Sequence, residues 1–214
     1  MFSSPWRRVS RWGNMQPLDT EVDMANELQG RKVAILLAPE GTEQVEFTEP
    51  KKAVEDAGAD VEVVGIQTGE AQTMNSDTNP GDTFTVEKTF SEVSPDDYDA
   101  LIVPGGTVGA DTLRGTDEAA SFVRGFFEAG KPVGAICHAP WALVEAGVLE
   151  GRKLTSFPSL QTDIENAGAE WVDEEVVTDQ GLVTSRNPGD LEAFNAKIVE
   201  EFAEGKHEEQ KRST

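Results

Sequence analysis

The feature that most constrains the fold is a series of short, continuous apolar runs separated by helical patterns. These runs are Lys32-Val-Ala-Ile-Leu-Leu-Ala38, Val61-Glu-Val-Val-Gly-Ile66, Ala100-Leu-Ile-Val103 and Pro132-Val-Gly-Ala-Ile-Cys137. Strands of a parallel sheet have this pattern, because helices bury both of their faces. Between the first two runs, residues 48–57 are predicted to form a helix with Pro50 in its first turn. This strand–helix–strand order predicts an α/β protein with right-handed crossovers.

The rest of the chain continues this alternation and shows no break between two domains. Further helices are predicted at residues 117–129, 138–146, 161–167 and 189–203, short strands at 153–156, 170–173, 175–178 and 182–185, and an edge strand or hairpin at 83–90. Residues 1–30 lack periodicity and are predicted to be a flexible N-terminal extension. Residues 31–204 form the predicted α/β domain, and residues 205–214 form a charged tail that is expected to fray.

The sequence is strongly acidic, with 40 Asp and Glu residues against 18 Lys and Arg residues and a formal net charge of −22. Such a surface repels nucleic acid and anionic membranes, so neither is an expected partner. No apolar run approaches the ~18 residues needed to span a bilayer. No apolar stretch follows the arginines near the start, as a secretory signal requires. We therefore expect a cytoplasmic protein.

The acidic residues are spread along the predicted helices, as on a halophilic protein from a salt-rich cytoplasm. An ordinary acidic protein is the alternative. If the halophilic interpretation is right, lowering salt from molar to millimolar concentration will lower the melting temperature by roughly 5 °C or more, because unscreened charges repel one another in the compact state. Thermal unfolding followed by circular dichroism across that range measures this effect. A melting temperature that does not change with salt rejects the interpretation.

Cys137 is the only cysteine, which excludes an internal disulfide and leaves either an inert buried thiol or a reactive one. It lies where an apolar run changes abruptly into a predicted helix, and Gly134, Ala135 and Ala139 around it are small. Such a sharp turn is typical of a nucleophile elbow, which presents its side chain at the carboxyl edge of a sheet. The helix N-terminus is expected to lower the pKa of the thiol below ~8.5. We interpret Cys137 as a nucleophile.

Three neighbours of this turn are candidates for the chemistry. His138 is placed to act as a general base or proton donor if its ring reaches the sulfur. Gly106 ends a glycine pair after a neighbouring strand, so the N–H groups of Gly106 and His138 are candidates for an oxyanion hole. The segment 41–46 follows the first strand at the same edge of the sheet. One of its carboxylates, if buried beside the sulfur, would be protonated and able to donate a hydrogen bond; for any single glutamate there, solvation is the ordinary expectation.

No set of metal ligands is evident in the sequence. The only other histidine, His207, lies in the charged tail and is expected to be solvated. No glycine loop of the nucleotide-binding type is present either. We therefore expect neither a metal nor another cofactor.

The stretch Ala135-Ile-Cys-His-Ala-Pro140 resembles the A-I-C-H-G-P motif of the PfpI family, within the deglycase and class I glutamine amidotransferase-like superfamily. The resemblance extends from about Arg31 to Phe202 and includes residues 146–156, 166–177 and 182–194. It implies a flavodoxin-like three-layer α/β sandwich with a mostly parallel central sheet. It also implies a homo-oligomer.

The resemblance implies roles for individual residues. Cys137 corresponds to the family's nucleophile, His138 to its partner and Glu46 to the glutamate that hydrogen-bonds the sulfur. Gly106 corresponds to the oxyanion glycine. Asp111 corresponds to the acid that contacts the histidine across a subunit interface in PfpI-type triads.

The sequence departs from the family pattern at three places. The segment 105–111 is one residue longer than the usual PfpI segment and is more like the deglycase branch. Ala139 replaces the usual glycine after the Cys-His pair, and Trp141 stands where glutamine is frequent. Both substitutions are expected to narrow or reshape the pocket.

The family includes glyoxalases, protein deglycases, intracellular peptidases and stress-response chaperones. The common step of its enzymes is attack of a thiolate on a carbonyl carbon. We favour a stress-protection enzyme that acts on reactive carbonyls, either small aldehydes or glycation adducts, because a small aldehyde needs only a shallow pocket. An intracellular cysteine peptidase acting on peptides and a non-enzymatic redox sensor or holdase are the alternatives.

Overall fold

The computed structural model describes residues 26–213. Residues 1–25, most of the predicted extension, lie outside the described residues. Leu28 is fully buried, and its N–H donates a hydrogen bond to the Ala57 carbonyl at 2.9 Å. The folded unit therefore includes residues before Arg31.

Strands and helices alternate along the described chain. The strands are β1 (Lys32–Leu36), β2 (Glu40–Glu43), β3 (Asp60–Gly65), β4 (Gly69–Asn75), β5 (Asn79–Val86), β6 (Lys88–Thr89), β7 (Ala100–Val103), β8 (Val133–Ile136), β9 (Lys153–Leu154), β10 (Glu170–Trp171), β11 (Val176–Asp179) and β12 (Leu182–Ser185). The helices are α1 (Gln44–Asp56), α2 (Thr107–Arg114), α3 (Asp117–Glu128), α4 (Pro140–Ala146), α5 (Gln161–Asn166) and α6 (Leu191–Glu204). None of these described helices is long and apolar enough to cross a membrane.

Seven of the described strands form the central sheet, in the order β11-β12-β8-β7-β1-β3-β6. Every neighbouring pair is parallel except β11 with β12. Apolar side chains fill both faces of the sheet: Phe126 and Leu143 belong to the core under α3 and α4, and Phe47 and Phe202 to the core under α1 and α6. This arrangement is a flavodoxin-like three-layer α/β sandwich, which confirms the predicted fold class.

Helix α1 begins at Gln44, four positions before the predicted start, so Pro50 lies inside the helix and not in its first turn. A proline there has no N–H for the carbonyl of Glu46, four residues earlier. The prediction of the helix start was therefore wrong. The longer helix brings Glu46, which is fully buried, into its first turn at the carboxyl edge of the sheet.

A hairpin of β4 and β5 pairs with β2 in a separate three-stranded sheet. The sequence indicated an edge strand or hairpin only at residues 83–90, and β4 was missed because its side chains are mostly polar. The tip of the hairpin contains Ser76 and Asp77, whose φ angles of 53° and 60° are left-handed. Because β2 follows directly after β1, this tip lies over the carboxyl edge of the central sheet.

The C-terminal tail does not fray as predicted. Gln210 is fully buried, and its side-chain amide donates to the Lys131 carbonyl at 2.9 Å. The backbone carbonyl of Gln210 accepts a hydrogen bond from the buried guanidinium of Arg152 at 3.0 Å. The N–H of His207 donates to the Gly130 carbonyl at 2.7 Å, and its side chain is 19% exposed. The expectation of a solvated His207 was therefore wrong.

Candidate active site

Cys137 lies at a strained turn between β8 and α4. Its φ angle is +62°, a left-handed conformation that costs a non-glycine residue on the order of 1–2 kcal/mol. The backbone holds this conformation from both sides, since the N–H of Cys137 donates to the Ser185 carbonyl at 3.0 Å and its carbonyl accepts from the N–H of Phe157 at 2.9 Å. The residue is 6% exposed. The predicted nucleophile elbow is present.

The ring of His138 turns back toward the sulfur, with Nδ1 3.2 Å from Cys137 Sγ. Phe157 stacks on the imidazole with ring centroids 4.6 Å apart, and Trp141 contacts it edge-on at 5.3 Å. Burial lowers the pKa of His138, so the ring is neutral at physiological pH and one of its nitrogens is free to accept a proton.

A hydrogen-bond chain on the far side of the imidazole selects its tautomer. The Thr107 hydroxyl donates to Asp77 Oδ2 at 3.1 Å and lies 3.4 Å from His138 Nε2. Because this hydroxyl gives its proton to a carboxylate, it offers a lone pair to Nε2–H. The tautomer with its proton on Nε2 leaves Nδ1 bare, facing the thiol. Asp77 also accepts the N–H of Thr107 at 2.7 Å, which fixes the hairpin tip to the start of α2.

Glu46 is completely buried beside the cysteine. Its Oε2 accepts the N–H of Gly105 at 3.0 Å, whereas Oε1 has no hydrogen-bond partner among the described residues. Burial, with smaller contributions from the carboxylates of Glu43 and Asp77, raises the pKa of Glu46 to about 8. The carboxyl is therefore mostly protonated at neutral pH, as the sequence reasoning expected of a buried carboxyl at this edge.

The glycine pair after β7 brings its backbone against the sulfur. The N–H groups of Gly106 and His138 both point at Cys137, where they lower the pKa of the thiol. Gly106 has φ +90°, and a Cβ there would lie 2.3 Å from the Gly41 carbonyl oxygen, so no other residue fits. These two N–H donors face the sulfur, and their use as an oxyanion hole stays a prediction.

The structure contradicts the prediction that the thiol of Cys137 is more acidic than usual. Burial raises its pKa, the negative charge of Glu46 raises it further once that carboxyl ionises, and together they outweigh the N–H groups that act in the opposite direction. The elbow removes the sulfur from water, and loss of hydration destabilises the thiolate. The resting side chain of Cys137 is therefore a thiol, and a thiol needs a base to become a nucleophile. His138 Nδ1 lies 3.2 Å from it.

The sulfur faces a cavity of about 170 Å³. The residues that line it are Glu43, Glu46, Ser76, Asp77, Gly106, Cys137, Phe157 and Pro188. Neither Ala139 nor Trp141 is among these residues, so the two departures from the family motif do not line the cavity as expected. Sequence reasoning missed Asp77, Thr107 and Phe157. The turn-forming composition around residue 77 predicts a hairpin tip, but its position over the cysteine depends on pairing between β2 and β4.

Asp111, the predicted acid, does not reach His138 within one chain. It is exposed on α2 and forms no hydrogen bond or ion pair with the imidazole in the described chain. Within the chain, the carboxylate linked to the histidine is that of Asp77, through Thr107. A role for Asp111 in a neighbouring subunit of a homo-oligomer stays a prediction.

Replacing Thr107 with valine is expected to lower kcat about ten-fold with little change in KM. The substitution removes the hydroxyl that holds Nε2–H, so the imidazole no longer presents a bare Nδ1 to the thiol in a fixed orientation. Steady-state kinetics over pH 6–9 measures the effect. Thr112→Val, the same substitution on the same helix, is the matched control. Equal kcat values in Thr107→Val and wild type would contradict this tautomer assignment.

These features define the class of α/β proteins in which a cysteine at a nucleophile elbow acts with an adjacent histidine and a buried glutamate. The DJ-1/PfpI family matches residues 31–201, and the chain belongs to this family. The central sheet and the site both lie within the matched region.

The chain aligns with nearly the whole length of two curated relatives. The chain is 41% identical over 165 residues to "Deglycase TK1284" of Thermococcus kodakarensis, a match that covers 77% of this chain and 96% of that protein. It is 40% identical over 169 residues to "Putative cysteine protease YraA" of Bacillus subtilis, with 79% and 96% covered.

Solved structures agree with the fold. DJ-1beta of Drosophila melanogaster is 30% identical with a TM-score of 0.73, over 85% of this chain and 94% of that one. A two-domain protein of Anabaena variabilis, with DJ-1/ThiJ/PfpI-like and ferritin-like domains, is 34% identical with a TM-score of 0.73, over 79% of this chain and 47% of that one.

Proposed function

We propose that the protein is a stress-protection enzyme that converts reactive carbonyl compounds, of the glyoxalase or protein deglycase type, by attack of Cys137 on a carbonyl carbon. The observation that carries this proposal is the 3.2 Å contact between Sγ and His138 Nδ1 at the floor of a cavity of about 170 Å³. Pockets for drug-sized ligands measure roughly 300–1,000 Å³, so this one fits only a few heavy atoms. The name of the Thermococcus kodakarensis relative supports the same chemistry.

With a 2-oxoaldehyde, the reaction begins when His138 Nδ1 takes the thiol proton and the sulfur bonds to the aldehyde carbon. The carbonyl oxygen becomes a hydroxyl by accepting a proton from Glu46, which gives a hemithioacetal. The N–H groups of Gly106 and His138 stabilise the charge that develops on that oxygen.

The hemithioacetal then rearranges to a thioester. The hydrogen on the former aldehyde carbon moves as a proton, through the ionised Glu46, to the neighbouring carbon. The ketone oxygen becomes a hydroxyl by taking the proton that His138 holds, and the hydroxyl on the former aldehyde carbon returns its proton to Glu46 and becomes the thioester carbonyl. Water hydrolyses this thioester, which releases a 2-hydroxy acid and restores the thiol. The sum is oxoaldehyde plus water to hydroxy acid, so no external oxidant or reductant takes part.

The charges around the cavity suit a neutral substrate and an anionic product. Glu43 and Asp77 line the opening, and both carboxylates are engaged by backbone N–H groups. Their negative charge disfavours an anionic ligand, so a neutral aldehyde enters more readily than a carboxylate does. The hydroxy acid product is repelled, which favours its release.

A cysteine peptidase is the second candidate, favoured by the name of the Bacillus subtilis relative. The same sulfur, base and N–H donors would serve acyl transfer. The small cavity is the observation against it, because a peptide chain needs an extended cleft on both sides of the scissile bond.

The test is a steady-state assay of purified protein with methylglyoxal beside casein zymography. We expect conversion of methylglyoxal to lactate without cleavage of casein. Casein cleavage without aldehyde turnover would favour the peptidase. A third result would favour a non-enzymatic holdase: no turnover of either substrate, with equal protection of a client protein from aggregation by wild type and Cys137→Ala.

A further inference from the structure

Three metal-ligating side chains meet at the opposite edge of the sheet from Cys137. Glu201 and Glu204 lie on the last turn of α6, and His207 follows in the tail. Their ligand atoms all lie within 4.8 Å of one another, and this is the one such group of three or more found among the described residues. We propose that these side chains bind a single divalent ion of the zinc class, with water completing its coordination.

Two buried polar groups at this place lack hydrogen bonds. The side chain of Glu201 is 9% exposed and accepts no hydrogen bond from the described residues. His207 Nε2 is buried and likewise has no hydrogen-bond partner among them. Buried carboxylates are almost always paired or bound to a metal, because loss of hydration is costly. The two groups form an ion pair with each other only when His207 is protonated, whereas a metal cation between them compensates both with a neutral imidazole.

The distance between the two groups matches that of two ligands on one tetrahedral ion. Glu201 Oε2 lies 3.4 Å from His207 Nε2, which is long for an N–H···O hydrogen bond. Zinc binds nitrogen and oxygen at about 2.0–2.1 Å, so two tetrahedral ligands stand about 3.3–3.4 Å apart. Glu204 is exposed and free to turn its carboxylate toward the same point.

The backbone fixes the imidazole before any metal binds. Gly205, with φ +86°, reverses the chain after α6, and the His207 N–H donates to the Gly130 carbonyl at 2.7 Å. The ring packs on Gly181, where a Cβ would lie 2.6 Å from His207 Cδ2. Glu201 and Glu204, three residues apart, share a helix face, and the negative end of the α6 dipole adds attraction for a cation. His207 and Glu201 are therefore preorganised, and Glu204 completes the set by a change of rotamer.

The ligand types select the metal. Calcium and magnesium prefer all-oxygen sites, whereas one imidazole with two carboxylates suits zinc and its neighbours. The three ligands are close together in the sequence, but the expectation of a solvated tail concealed the site, because the docking of His207 against Gly130 depends on tertiary structure. A metal here would link α6 to the tail and stabilise the native state by mass action.

The test uses the full-length protein with Cys137→Ala, because a thiol beside an imidazole can bind Zn²⁺ by itself and would compete. Isothermal titration with Zn²⁺ is expected to show one site, and Zn²⁺ should raise the melting temperature. Adding His207→Gln or Glu204→Gln should weaken binding at least ten-fold and reduce that thermal shift. Glu209→Gln removes the same charge as Glu204→Gln, but from an exposed residue outside the cluster. It should change neither the affinity for Zn²⁺ nor the thermal shift.

Three results would overturn the proposal. One is the absence of binding at millimolar Zn²⁺. Another is equal affinity for Zn²⁺ in Cys137→Ala and in all three variants built on it, or a loss of affinity in Glu209→Gln as large as in the cluster variants. Either outcome would mean that Zn²⁺ is attracted diffusely to an acidic surface. The third is equally tight binding of Ca²⁺, which would exclude the imidazole as a selective ligand. Since Glu204 is exposed, Glu204→Gln keeps the test decisive if His207→Gln fails to fold.

Discussion

Cys137→Ala is expected to lower kcat/KM for methylglyoxal by on the order of 10³-fold or more. The substitution removes the only thiol, and the remaining N–H donors and cavity supply just the part of catalysis that comes from binding and charge stabilisation. Cys137→Ser keeps the shape of the side chain and is expected to lose nearly as much, because a hydroxyl is a much weaker nucleophile at neutral pH.

The control for this prediction is the melting temperature of each variant, which shows whether the fold is intact. Alanine and serine meet the same left-handed backbone strain as cysteine at φ +62°, so both variants should melt within a few degrees of wild type. Aldehyde turnover by Cys137→Ala at the wild-type rate would refute covalent catalysis. The proposed function would then fail, whereas the fold and the family membership would stand.

Glu46→Gln is expected to reduce turnover about 10²-fold and to remove a pH dependence from both activity and stability. The wild-type carboxyl, with a pKa of about 8, donates a proton in the first step, so activity should decline as pH rises through 8. Glutamine keeps the size of the side chain but cannot exchange a proton. The remaining activity of the variant should lack this alkaline decline.

The same pKa predicts how stability changes with pH. The native state holds the Glu46 proton up to about pH 8, whereas an unfolded glutamic acid loses it near 4.5. The stabilisation from this group is present below pH 4.5 and is lost as pH rises toward 8, at no more than about 1.4 kcal/mol per pH unit. The free energy of unfolding of wild type should therefore fall relative to that of Glu46→Gln between pH 5 and 8.

Urea unfolding at several pH values measures this difference. Glu49→Gln, an exposed glutamate on the same helix, is the matched control and should run parallel to wild type. Parallel curves for wild type and Glu46→Gln would mean that the carboxyl is ionised in the native state. The assignment of Glu46 as proton donor would then be wrong.

The chemistry of the site follows from burial, which disfavours the charged form of each of its ionisable groups. Burial keeps the thiol of Cys137, the imidazole of His138 and the carboxyl of Glu46 in their neutral forms. A neutral thiol with a neutral base 3.2 Å away can form its nucleophile at the moment of attack. The sequence suggested a preformed thiolate, because the helix N-terminus was visible in the pattern and the loss of water around the sulfur was not.

Local sequence determined the central sheet, the elbow and the candidates next to it. Continuous apolar runs identify buried parallel strands, since both faces of such strands are covered. Small residues around Cys137 allow the turn, and Gly106 follows a strand that pairs directly with β8. The adjacency of Cys137 and His138 is a property of the chain itself, and Glu46 was located by its resemblance to a family motif.

Only the tertiary structure decided what surrounds these groups. Asp77 reaches His138 through Thr107 because a polar hairpin pairs with β2, and a polar strand carries no periodic signal that predicts its partner. His207 is held beside Glu201 because its backbone docks against Gly130, a contact between distant segments. The pKa of Cys137 depends on how much water and charge lie around the sulfur. Short-range patterns report which residues are apolar, small or turn-forming, whereas hydration and electrostatics depend on every atom that packs nearby.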